Sequence, residues 1–174
     1  ALLEMWLEAG AELGNHTFSH PSFQETPLAR YQEDVVRGEA VTRWLLEKRG
    51  QKLRWFRHPF LRTGPNLETR AASEKFLADR GYTVAPVTVE NSDYVFSAAY
   101  SRAKTKGDQD LMRKLGAEYL RFTTAQYDFW EGVSQELLNR PMKHVLLLHV
   151  NEINADWFDE VLELMARRGY RVVT

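Results

Sequence analysis

FLADRGYTV, residues 76–84, has an echo in LMARRGYRV, residues 164–172: in both, apolar residues at helical spacing run into Arg-Gly-Tyr and then into a strand-like segment. A helix stopped by glycine and followed at once by a strand is part of a crossover unit, and such units build parallel sheets covered by helices. Strand-like segments are expected at AELGNH (11–16), KLRWFRHPF (52–60), YTVAPVTV (82–89), KHVLLLHV (143–150) and YRVVT (170–174). The continuous apolar run in KHVLLLHV suits a strand covered on both faces. Between them the chain reads as helical. Residues 26–50 have Thr26 as N-cap, Pro27 at the first helical position and Gly50 past the end. Residues 66–81 open on Asn66, and residues 154–169 form the last helix. A longer helical region from about Val95 to Asn139 is broken at KGDQD (106–110), where Gly107 stops one helix and Asp108 caps the next. The expectation is a parallel α/β sheet or barrel forming one domain over residues 1–174.

Composition narrows the chemistry. With 23 basic and 24 acidic residues the chain carries no electrostatic footprint for a polyanion, so nucleic acid is not an expected partner. There is no cysteine, which excludes disulfides, thiolate catalysis and thiolate metal sites. Any metal must be held by histidine and carboxylate. The longest apolar runs fall far short of the ~20 residues that a membrane span needs.

Functional loops of parallel α/β folds lie beyond the carboxyl ends of the strands. That rule gathers NHTFSH (15–20), RHPF (57–60), ENSDY (90–94) and His149 with NEIN (151–154) on one rim. His16 and His20, four apart, can present two imidazoles to one ion, although two surface or core histidines would look the same. Arg57 lies beside Pro59, which stiffens the backbone at Phe60; alternatively it is a surface arginine at a strand end. His149 closes an apolar strand, placing its backbone in the sheet and its ring at the rim, where it can exchange a proton near neutral pH. A satisfied core histidine is the other reading. Asp93 either caps the next helix or pairs with Arg57 or His149. His58 alternates away from Arg57 and His144 lies at the other end of its strand, so neither is expected to act. Trp44, Phe76, Phe122, Phe129, Trp130 and Trp157 read as packing residues.

Taken together, these stretches resemble the polysaccharide deacetylases of carbohydrate esterase family 4, the NodB-homology group, over nearly the whole chain. HTFSH (16–20) is similar to the family's H-S/T-x-x-H, which implies that His16 and His20 bind a divalent metal, usually zinc, or another such as Co²⁺. RHPF resembles R-x-P-Y/F, implying that Arg57 orients the catalytic base and that the backbone at Phe60 helps hold the oxyanion. LLLH (146–149) resembles L-x-L-H, implying His149 as the catalytic acid with leucines such as Leu148 walling the acetyl methyl group. ENSDY is a looser match to D-x-x-D-W: Asp93 corresponds, Glu90 replaces the first Asp, and Tyr94 replaces the Trp that shapes the acetyl pocket. The family's T-F-D-D motif, source of the base and the third metal ligand, has no counterpart upstream of His16.

The resemblance implies a distorted (β/α) barrel lacking its first strand, removal of acetyl from N- or O-acetylated glycans, and a location outside the cytoplasm. The start inside a helix and the missing acidic pair lead to the expectation of an N-terminally incomplete domain, weakly active and prone to self-associate, possible as a homodimer. A carbohydrate-binding pseudoenzyme of the same fold is the alternative. An unrelated two-histidine hydrolase would leave RHPF and His149 unexplained.

Overall fold

The computed structural model describes residues 2–173. It divides into two units, one ending at Pro86 and the other spanning Val87–Val173. In the first, α1 (Leu2–Glu8), β1 (Gly14–Asn15), α2 (Leu28–Glu47), β2 (Trp55–Phe56), a 3-10 turn at Pro59–Leu61, α3 (Leu67–Asp79) and β3 (Thr83–Val84) follow in order. The strands pair in parallel as β1-β2-β3, with Gly14 opposite Trp55, Asn15 opposite Phe56, Trp55 opposite Thr83 and Phe56 opposite Val84. Phe23, Tyr31, Val35, Leu46, Leu53, Phe56, Leu77 and Tyr82 form the core under this sheet. Tyr31 and Val35 lie on one face of α2, the spacing at which a helix presents an apolar stripe. Each such side chain contributes about 1.5–3 kcal/mol when fully buried.

The second unit contains β4 (Val89–Glu90), α4 (Asp93–Thr105), α5 (Gln109–Leu138), β5 (Leu146–Leu147) and α6 (Glu152–Arg167). Here β4 and β5 pair in parallel, Val89 opposite Leu146 and Glu90 opposite Leu147. Tyr100, Ala103, Met112, Tyr119, Ile153 and Val161 make the core between the helices. Helices α5 and α6 come close at Gly116, where a Cβ would fall inside the Trp157 indole. Among the described residues, no helix is long and apolar enough to cross a membrane.

The parallel α/β reading holds in both units, but several elements differ from expectation. YTVAPVTV is not one strand: β3 and β4 belong to different sheets. Pro86 between them donates no N–H and restricts Ala85, so a ladder cannot run through. YRVVT forms no strand over residues 170–173, with Thr174 outside the described residues; Tyr170 N–H is instead taken by the Met165 carbonyl at 3.0 Å, closing α6. Leu146 and Leu147 are only half-buried, so β5 is not covered as completely as its apolar run suggests. Asn66 and Asp108 cap α3 and α5 as read, accepting from Thr69 N at 2.8 Å and Leu111 N at 3.0 Å. Thr26 does not cap α2. Its hydroxyl turns back to the Ser22 carbonyl at 2.8 Å, and Pro27 takes the cap position. Asn151 starts α6 two residues early by accepting from Asn154 N at 3.0 Å. Trp44 and Phe129 are exposed rather than packed, Trp44 with the Lys48 ammonium on its ring at 3.6 Å.

His58 belongs to the first core. It is 4 % exposed, stacks with Phe23 and Tyr31, and its Nδ1 lies 2.8 Å from the Tyr31 hydroxyl. Burial pulls its pKa from 6.5 down to about 4. Because the folded value is depressed, the neutral ring stabilises the fold fully above pH 6.5, and this contribution is lost as the pH falls toward 4. Urea unfolding between pH 7 and 4 should therefore show a loss of at most about 3 kcal/mol from this residue. His58→Gln, which keeps an acceptor for Tyr31, should flatten the slope relative to the parent; equal slopes would show that His58 is not the group responsible.

Candidate functional site

At the end of β1, Asn15 fixes the chain before the first histidine. Its side-chain amide donates to the Val35 carbonyl and the Tyr82 hydroxyl, both at 2.9 Å, and its Oδ1 accepts from Thr17 N at 2.9 Å. Asp34 on α2 fixes the chain after it. This nearly buried carboxylate accepts from Phe18 N at 3.0 Å, Ser19 N at 2.9 Å and the Ser19 hydroxyl at 2.9 Å. Burial opposes its ionisation, but the bonds from Ser19, Phe18 and Thr17 outweigh it and hold its pKa below the ordinary value. Gly38, one turn on, lets α2 approach: a Cβ there would lie 2.5 Å from the Thr17 carbonyl carbon and 2.7 Å from Asn15 Oδ1. The loop is thus clamped between strand and helix.

Within that loop the His16 and His20 rings face each other edge-on, centroids 4.9 Å apart. Two imidazoles holding one tetrahedral zinc at ~2.0–2.1 Å place their ring centres about 5 Å apart, so the pair fits as two ligands of one ion. His16 Nδ1 lies 2.8 Å from the Arg57 carbonyl, which can only accept; the ring therefore carries its proton on Nδ1 and its lone pair on Nε2. A third ligand is not supplied here: among the described residues no group of three or more His, Asp or Glu could hold a metal ion.

Beyond β2, Arg57 N donates to the Asn15 carbonyl at 3.0 Å, extending the ladder into the loops. Burial pushes the Arg57 guanidinium below its ordinary pKa, and its Nε is buried without a hydrogen-bond partner. The acid expected beside Arg57 is not found among its described ion pairs. Phe60, held by the 3-10 turn, is exposed and sets its ring edge-on to His20 at 4.6 Å. The turn's hydrogen bonds run from Leu61 to His58 and Arg62 to Pro59, leaving Phe60 N–H outside them.

In the second unit the ends of β4 and β5 bring Asp93 and His149 together. Asp93 Oδ1 lies 2.6 Å from His149 Nδ1, and Oδ2 accepts from His149 N at 2.6 Å. Asp93 is 1 % exposed while the His149 side chain is 47 % exposed, so a buried acid holds an accessible imidazole. Of the two roles open to Asp93, capping α4 gives way: Ser92 takes the cap position, and Glu90 holds the Ser92 N–H at 2.7 Å. Tyr94 is exposed, edge-on to His149 with centroids 6.1 Å apart, and Leu148 is half-buried.

Six described non-glycine residues have positive φ, and five of them, Thr17, His20, Phe60, Leu61 and Ser92, lie in these three loops. Such conformations cost about 1–3 kcal/mol each and persist where surrounding structure enforces them, as it does at binding and catalytic loops.

Residues 1–84 match the family model for polysaccharide deacetylase. The match takes in the His16–His20 loop, Arg57 and Phe60. Solved structures extend the likeness of fold. A mutant CE4 family pseudoenzyme is similar at 17 % identity, TM-score 0.60, and a mutant of it with restored enzymatic activity at 16 % identity, TM-score 0.59. Each covers 97 % of this chain, while this chain spans 47 % of theirs, about half their length. The peptidoglycan deacetylase PdaC from Bacillus subtilis, in mutant form, is similar at 18 % identity and TM-score 0.57, over 99 % of this chain and 65 % of its own. No curated protein matches the chain in sequence. The chain thus has the parallel-stranded α/β fold of CE4 deacetylases, with the histidine pair in the segment that carries the family match.

Asn15, Asp34, Tyr119 and Asn154 were not singled out by sequence reading. The only signal for Asp34 was an acid sharing the stripe of Tyr31 and Val35; for Asn154, its place in the NEIN segment after His149. Asp34→Ala should release the 17–20 loop and lower zinc affinity about 10–100-fold, measured by calorimetric titration. Unchanged affinity would show that Asp34 does not shape the histidine pair.

Proposed function

We propose that this chain carries part of the active site of a metal-dependent deacetylase that removes acetyl from an N- or O-acetylated glycan. The observation that supports this most is the His16–His20 pair, spaced for one ion inside the family-matched segment. A bound divalent ion such as Zn²⁺ or Co²⁺ would supply Lewis acidity toward water and the acetyl carbonyl. His16 and His20 would hold it, with His16 oriented by the Arg57 carbonyl. Arg57, half-buried with its Nε buried and unpaired, is suited to hold the carboxylate of a base. Phe60 N–H would donate to the oxygen of the acetyl group as negative charge develops there. His149, with Nδ1 tied to Asp93, would deliver the proton of Nε2 to the leaving nitrogen as the C–N bond breaks, giving acetate and a free amine.

A carbohydrate-binding pseudoenzyme is the second reading, supported by the likeness of fold to a CE4 family pseudoenzyme. The full-length protein separates the two. Zinc titration and acetate release are measured on a panel of acetylated oligosaccharides, for the parent and for His16→Ala and His20→Ala. Zinc-dependent acetate release, lost in both variants, is expected; glycan binding without release would establish the pseudoenzyme.

A further inference from the structure

A buried polar chain runs through the second unit and ends on His149. Thr123 Oγ1 donates to the Tyr119 carbonyl at 2.8 Å and accepts from Asn91 Nδ2 at 3.2 Å. Asn91 Nδ2 also donates to the Tyr119 hydroxyl at 2.8 Å, which in turn donates to Asn154 Oδ1 at 2.6 Å. Asn154 Nδ2 then donates to Asp93 Oδ2 at 2.5 Å and to the His149 carbonyl at 2.8 Å. Asn91, Tyr119 and Thr123 are fully buried, and Asn154 is 7 % exposed.

We propose that Asn154 is a positioning residue that locks Asp93 and the backbone and ring of His149 into one unit, and that Tyr119 sets the orientation of the Asn154 amide. Three features support it. First, the bonds close a ring: His149 N and Nδ1 go to Asp93, the His149 carbonyl goes to Asn154, and Asn154 returns to Asp93, so ring and backbone cannot move independently. Second, the amide has one workable orientation. Asp93 and the His149 carbonyl can only accept, so flipping Asn154 would set its oxygen against both and its NH₂ against the Tyr119 hydroxyl. Burial, foremost, pushes Tyr119 up to about 12, keeping it a phenol that donates. Third, a polar chain inside an apolar core is costly unless its links are made; Asn91 Oδ1 is left buried without a partner, but every link from Tyr119, itself a core residue, through Asn154 and Asp93 to the accessible imidazole is made. The consequence is a fixed Nδ1–H: Nδ1 keeps its proton toward Asp93, and the proton that His149 gives up as an acid is the one on Nε2, which faces substrate.

This rests on the reading of His149 as proton donor, and the experiment separates the two. In the full-length protein, ¹⁵N NMR of the His149 ring reports the tautomer without substrate, and acetate release reports kcat and KM. Asn154→Ala should give mixed tautomers and lower kcat about tenfold, the loss of a hydrogen bond to a charged group, with KM within about twofold. Tyr119→Phe, which keeps the packing, should move both readouts the same way by about threefold in kcat. Val161→Ala, a core change outside the chain, should move neither. If Asn154→Ala does not fold, Tyr119→Phe decides alone. A parent-like tautomer and kcat in whichever of the two variants folds would overturn the proposal. A tautomer shift in a protein that releases no acetate would keep the positioning role and discard the deacetylase reading.

Discussion

If His149 is the proposed general acid, replacing it with Gln should lower kcat for an N-acetylated sugar by about 10²–10⁴-fold while KM changes little, the range lost when a general acid is removed. The geometry gives the reason. His149 is held through Nδ1 by a carboxylate that is itself 1 % exposed, so Nε2 is the atom presented to solvent and substrate. Glutamine cannot release a proton to an amine, yet it fills similar space and leaves the loop after β5 in place. An acetate ester with a phenolic leaving group needs no proton on departure, and with it the deficit should shrink to about tenfold or less. Steady-state acetate release on the two substrates provides the comparison. An equal deficit on both would show that His149 acts in binding or in folding rather than as an acid.

Gly116→Ala destabilises the second unit by about 3 kcal/mol, the upper end of ordinary overpacking. A methyl group at this position occupies the same space as the Trp157 indole, so either α5 and α6 separate or the indole leaves its site. Both outcomes reduce packing around Tyr119, Ile153 and Val161. Urea unfolding measures the loss. Trp157→Leu in the same chain should recover part of it, so the two substitutions together cost less than the sum of each alone. Additive costs would mean that the close approach at Gly116 does not limit the helix packing.

Features whose causes are local were readable in the residues. Asn66 and Asp108 cap helices because the acceptor and the N–H three residues on are close in any chain of that conformation. Pro86 marks the break between β3 and β4, but the apolar residues flanking it favoured one strand over two. Thr26 looked like a cap until Pro27 occupied that place. The pairing of Asp93 with His149 was among the open alternatives because both follow the ends of parallel strands. Asp34 and Tyr119 act through partners 15 to 16 and 28 to 35 positions away, and helical spacing alone marks such residues as ordinary members of a helix face. Their roles depend on which loop the fold lays over that face.

The bond from the His16 ring to the Arg57 carbonyl ties the site of a proton to the alignment of two strands. Asn15 sits opposite Phe56, the ladder continues from Arg57 N to the Asn15 carbonyl, and the next carbonyl along β2's exit is the one that meets His16 Nδ1. A slip of one residue between β1 and β2 would turn alternate side chains to the opposite face. It would also offer the imidazole a different backbone group, so sheet alignment sets which ring nitrogen is basic. If His16 and His20 hold an ion as proposed, substitutions at Trp55 or Phe56 that shift the pairing should lower zinc affinity in a calorimetric titration without touching either histidine.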